Sequence, residues 1–208
     1  MYPVEELQYA GFFAHCNCVY SDGCPFPAEV ALVSIRDIKQ YKAFTLNLSD
    51  LTFNHSDLIL NQYYSDTKTN IVLSQTTRGT VKWSHANSHL YRMYNDMFQN
   101  LAVYHPKASI VYVYGPQQKA LFKRFFRYLP VVDVLESPCF KKIPEPKNCK
   151  IILNGHRNFH DQKLPLACSF NRAYGYASLC KIKMAEYEER EENVSSESEE
   201  ECNNVIME

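Results

Sequence analysis

Residues 148–168 read NCKIILNGHRNFHDQKLPLAC and hold two cysteines and two histidines in twenty-one positions. Zinc takes four N, S or O ligands at the corners of a tetrahedron, and tertiary structure gathers those that lie apart in sequence. Cys149, His160 and Cys168 offer S, N and S, and the seven residues between His160 and Cys168 leave room for the chain to turn. A fourth ligand is available in Glu136, Cys139 or His156. Such a metal would be structural, because the 136–168 loop has few large apolar residues to anchor it. Zinc supplies about 10–16 kcal/mol of apparent folding free energy in small peptides. A second cluster, His15, Cys16, Cys18 and Cys24, is weaker, since on a strand Cys16 and Cys18 share a face and can pack as two core thiols.

These residues are positioned by elements that the hydropathy pattern outlines. Aromatic-rich 7–20 and the alternating runs 28–38 and 41–48 predict a three-stranded antiparallel meander, with the turn formers SDGCPFP between the first two. Residues 49–83 mix Asn, Ser, Asp and Thr with single aromatics and predict a long surface excursion with little regular structure. Leu90, Met93, Tyr94, Met97, Phe98 and Leu101 then recur at three- and four-residue steps, predicting an amphipathic helix capped at Ser84 or Asn87. The apolar run 108–115 predicts a strand buried on both faces, and Pro116 opens a helix to Leu129. Residues 131–136 predict a second buried strand, and a last helix spans 166–183. Strands alternating with helices imply parallel pairing. The fold class is therefore α/β, with an RNase H-like mixed sheet made of the meander plus two parallel strands and flanked by helices.

Exonucleases on such a scaffold hold two Mg²⁺ ions on several carboxylates, the first two as a D-x-E pair in the first strand. Here that strand, LQYAGFFAHCNCVY, contains no acid. His156 and Asp161 do have the H-x4-D spacing of a general base and a metal-binding Asp, but two common polar residues meet at that spacing by chance. Two-metal cleavage is not expected. Asp133 falls in a central strand, where a carboxylate is costly without a partner.

Cationic residues suggest where a polyanion would bind. Lys119, Lys123 and Arg127 recur at four-residue steps with Arg124 beside them, and the following loop adds Lys141, Lys142, Lys150 and Arg157. Phosphate contacts of this kind give salt-sensitive, sequence-independent affinity, and nearby aromatics can stack on unpaired bases. A charged stripe is also the ordinary solvated face of a helix.

At 208 residues the chain suits one domain, 1–185, with an acidic tail, 186–208, expected to be disordered. Ten of the 23 acidic residues and one of the 22 basic ones fall after Ala185, leaving 21 basic and 13 acidic residues before it, a net charge of +8. The amino-terminal residues have no signal-peptide pattern and no run approaches the ~18 apolar residues of a membrane span. The expectation is an intracellular protein, cytoplasmic or nuclear, whose eight cysteines are reduced.

Glu136, Cys149, His160 and Cys168, in that order between the last strand and last helix of an RNase H-like layout, resemble the zinc motif of the Maelstrom domain. ACSFNRAYGYASLCKI is similar to that family's final helix, and SHLYRMYNDMF to an earlier one. The resemblance covers about residues 7–183 and is diffuse outside the motif. It implies structural zinc on those four residues and an exonuclease-related fold that has lost its carboxylates. It further implies single-stranded RNA as a partner, a role in small-RNA (piRNA) silencing of transposons beside other silencing proteins, and endoribonuclease activity in some members. Two departures stand out: the HMG box that often precedes the domain is not among these residues, and the gap from Cys149 to His160 is long, so His156 competes for the same site.

Overall fold

A computed structural model describes the backbone of residues 3–146 and 168–205 and the side chains of 5–146 and 168–190. A short helix α1 (Pro3–Leu7) leads into β1 (Ala10–Ser21), β2 (Cys24–Ser34) and β3 (Tyr41–Asn47). Next come α2 (His55–Tyr64), β4 (Val81–Lys82), α3 (Ala86–Ala102), β5 (Ile110–Val113), α4 (Pro116–Phe125), β6 (Val131–Asp133) and α5 (Ser169–Val205). The sheet order is β4-β3-β2-β1-β5-β6. β1, β2 and β3 pair antiparallel, while β5 joins β1, and β6 joins β5, in parallel. The chain is thus an α/β protein with a six-stranded mixed sheet and flanking helices.

Both faces of the sheet are buried, which is why its central strands read as nearly continuous apolar runs. Phe12, Ala14, Val30 and Leu32 face a core completed by Leu90 and Met97 of α3 and Phe122 of α4. The alternate residues Phe13, Ala31 and Val33 face a second core with Phe170, Ala173, Tyr176 and Cys180 of α5. The β1–β2 hairpin turns through Asp22 and Gly23, both at positive φ (50° and 68°), the conformation of a tight two-residue turn. β2 therefore begins earlier than the pattern predicts and contains Pro25 and Pro27. They are tolerated because β3 pairs only with Glu29–Val33, leaving that end of β2 a free edge.

Segment 49–83 is more regular than expected. It contains α2, a π-helical turn (Ser65–Thr69), a 3-10 helix (Leu73–Arg78) and β4. α2 starts with a capping box, in which Asp57 N–H donates to Asn54 Oδ1 (2.9 Å) and Asn54 N–H to Asp57 Oδ2 (3.1 Å). The Asp57 carboxylate also accepts from Asp22 N–H (2.9 Å) and Gly23 N–H (3.0 Å), joining the helix to the hairpin turn. Those backbone donors, Gly23 first, hold its pKa below the usual carboxylate range.

Three boundaries also differ. α3 is capped at His85, not at Ser84 or Asn87, and no side chain caps it. α4 stops at Phe125, leaving Arg127 beyond it. β6 yields after Asp133 to a 3-10 turn, Val134–Glu136. Asp133 ends its strand with two donors, Gly115 N–H (2.9 Å) and Leu135 N–H (3.1 Å), which is how a 3% exposed carboxylate is accommodated there. α5 continues through the acidic segment as far as Val205, and Glu188 reaches Arg36 at 3.5 Å. None of the described helices is long and apolar enough to cross a membrane.

Candidate functional site

β1 extends eight residues beyond its last pairing with β5, at Phe13. Along that stretch its β5-side edge has no neighbouring strand among the described residues, and a cleft of about 680 Å³ opens there. The walls come from β1 (His15–Cys18, Tyr20), the β5–α4 junction (Tyr114–Gln118) and α5 (Arg172, Tyr176). Lys68 and Arg124 line it as well. The aromatic walls are themselves stacked. Phe13, Tyr176 and Tyr114 form a three-ring stack with centroids 4.8 and 4.7 Å apart, and Tyr20 lies 4.9 Å from Tyr64.

Behind the cleft a buried polar cluster replaces what the sequence shows as an isolated Glu in an apolar strand. At the Asn17/Cys18 bulge the Ser169 hydroxyl is inserted between β1 and β2, accepting from Asn17 N–H (2.8 Å) and donating to Glu29 C=O (3.2 Å). The fully buried Glu29 carboxylate accepts from Asn17 Nδ2 (2.9 Å), Ser169 N–H (2.7 Å) and the Cys168 thiol (3.3 Å). Buried charge demands this density of donors. His15 Nδ1 is 3.4 Å from Ser169 Oγ. Burial, aided by the positive charge of Arg172, pushes the His15 imidazole down to about 3, so it is neutral at physiological pH.

Two of the four expected zinc ligands, Cys149 and His160, lie outside the described residues, as does the competitor His156. The other two each have another partner. Glu136 is exposed and pairs with Lys119 of α4 at 2.5 Å, while Cys168 meets Glu29 at the mouth of α5. α4 packs on one face of the sheet and α5 on the other. Burial first, and Glu29 second, push the Cys168 thiol far above its ordinary value, so it sits protonated. Cys139 is buried and raised to about 12, by burial and then by Glu6. In the second cluster Cys16 and Cys18 share a face, their sulfurs 3.8 Å apart, while Cys24 is exposed and His15 faces Ser169. Among the described residues no group of three or more His, Cys, Asp or Glu is placed to hold a metal.

Of the expected cationic residues, Lys123, Arg124, Arg127, Lys141 and Lys142 are exposed, and Lys150 and Arg157 lie outside the described residues. Lys119 is half-buried and engaged by Glu136. The four-residue stripe therefore holds for Lys119 and Lys123 only, because α4 has ended before Arg127. Arg124 alone of this set also lines the cleft. Sequence reasoning missed Glu29, Ser169, Lys68 and Arg172. A lone Glu in AEVALVSI was a usable signal, since a buried carboxylate requires partners. Compared with protein-family models, curated proteins and solved structures, the chain matches none.

Proposed function

We propose that this protein is a catalytically degenerate RNase H-like domain that binds single-stranded RNA at the open edge of β1. The observation that carries the reading is the cleft itself. Where a two-metal nuclease would present D-x-E, β1 offers His15 and Asn17, i and i+2 on the face toward α5, bonded to Ser169 and Glu29. A neutral imidazole and an amide do not hold Mg²⁺ as a carboxylate pair does. The sheet order β3-β2-β1-β5-β6, a meander followed by two parallel strands, supports the RNase H-like reading. Lys68, Arg124 and Arg172 in the cleft, and Lys123 and Arg127 beside it, favour a polyanion. The tyrosines suit unpaired bases. The resemblance to the Maelstrom domain extends the proposal to small-RNA silencing and to zinc on Glu136, Cys149, His160 and Cys168. The donor types suit zinc, which would tie Glu136 to the head of α5. Binding it requires Cys168 to lose its proton and Glu136 to leave Lys119.

Affinity for a fluorescent single-stranded RNA, measured across a salt series, tests this. Lys123→Glu, Arg124→Glu and Arg127→Glu together should weaken binding and reduce the magnitude of the log–log salt slope by about 2, at roughly 0.7 per phosphate contact. Lys119 is left intact because reversal would set it against Glu136. An unaltered slope, or Mn²⁺-dependent exonuclease activity in the wild type, refutes the reading.

A further inference from the structure

The exposed edge of β1 is filled at two rungs by side-chain amides. Gln118 of α4 accepts from Cys16 N–H (2.9 Å) and donates to Cys16 C=O (2.8 Å). Asn61 of α2 does the same at Tyr20, accepting at 2.6 Å and donating at 2.7 Å. Each amide supplies the donor and acceptor that a neighbouring strand would. Strand alternation turns the N–H and C=O of Cys18 to this same edge, midway between the two. Across the ladder Cys18 faces Pro27, which has no N–H to give. No side-chain amide among the described residues closes the Cys18 rung, and the cleft opens there.

We propose that this cleft receives one unpaired nucleotide, whose base completes the open rung at Cys18 with an adjacent donor and acceptor. The inference rests on the single-stranded RNA reading and adds to it a binding site and a ligand class. A strand-adding peptide needs consecutive rungs, and those on either side are already occupied by Gln118 and Asn61. A phosphodiester has no donor to offer the Cys18 carbonyl. Purines and pyrimidines carry a donor beside an acceptor on the Watson–Crick edge, and engaging that edge is incompatible with base pairing. The cavity volume falls within the ~300–1,000 Å³ of small-ligand pockets. Its aromatic walls supply apolar contact for the ring, and Lys68 and Arg124 supply positive charge for the phosphate. The hydroxyl of Tyr176, a residue only 1% exposed that lines the cleft, has no hydrogen-bond partner among the described residues, which leaves it a donor for a ribose or phosphate oxygen.

The test is calorimetric titration of the full chain with AMP, GMP, CMP and UMP, alongside ribose 5-phosphate and inorganic phosphate. At least one nucleotide should bind about tenfold or more tightly than ribose 5-phosphate, the scale of base stacking and edge recognition. Ala120→Trp, at an exposed position of α4 that lines the cleft, should abolish that binding, and Tyr114→Leu should weaken it about tenfold, with thermal stability confirming that both fold. Nucleotides no tighter than ribose 5-phosphate, or binding unaffected by Ala120→Trp, overturn the proposal. If single-stranded RNA binds while no nucleotide does, the pocket is refuted and the α4 cations stand. If nucleotides bind and RNA does not, the pocket stands and the RNA reading fails.

Discussion

His15 shows how far one side chain's setting departs from its type. A histidine two positions from an asparagine, on a strand that lines a cleft, invites a catalytic reading. Its environment denies it: the ring is 7% exposed, faces Ser169, and has Arg172 near enough to oppose a second positive charge, with Glu29 only partly compensating. The consequence for stability has a definite sign. The imidazole is lowered from 6.5 in the unfolded chain to about 3 in the fold, so between those values the unfolded state binds more protons. Its contribution is complete above pH 6.5 and is lost as pH falls toward 3. Thermal melting from pH 7.5 to 4.5 should show a falling midpoint, and His15→Gln, which keeps a polar partner for Ser169, should flatten the fall. Identical pH profiles for the two proteins would remove His15 as the cause. None of this is legible in AHCNC, because Ser169 and Arg172 come from more than 150 residues away.

At the scale of elements, the units that bury apolar side chains at a regular period are those the sequence foretells: the meander, α3, β5, α4 and β6. α2 is the instructive failure. Its buried residues are Asp57 and Asn61, and Leu58, Ile59 and Tyr63 on the same helix are exposed, so no apolar stripe exists to be read. It is held instead by polar contacts to the β1–β2 hairpin, through Asp57 at the turn and Asn61 at Tyr20. The signal that was present is Asn54 three residues before Asp57, an unusual capping box with Asn and Asp in place of Ser and Glu. Asn54→Ala should cost about 1 kcal/mol in urea unfolding. Because α2 also carries Tyr64 and the adjoining Lys68 turn into the cleft, the same variant should weaken RNA binding more than its small stability loss explains. A loss of stability with RNA affinity unchanged would separate α2 from the site.

The described residues form a sheet covered on both faces, with an open edge along the second half of β1. The cleft was illegible in the sequence because it is built from pieces of β1, the β5–α4 junction, α4, α5 and the turn after α2, none of which bears a motif. The zinc set was legible as a pattern of ligand types, and its two described members each have another partner. That arrangement makes the metal testable through stability. A zinc ion drawing on Cys168 would replace the thiol proton, tie Glu136 to the head of α5, and thereby support the bulge where Ser169 holds β1 to β2. Elemental analysis should find about one zinc per chain in the wild type. A chelator should lower its melting temperature, since a ligand bound only by the folded state stabilises that state by mass action. Cys168→Ser keeps a hydroxyl donor for Glu29 but removes the sulfur ligand, so it should lose both the metal and the chelator response. If the folded wild type carries no zinc, or Cys168→Ser melts like the wild type with and without chelator, the thiol serves Glu29 alone and the zinc assignment falls.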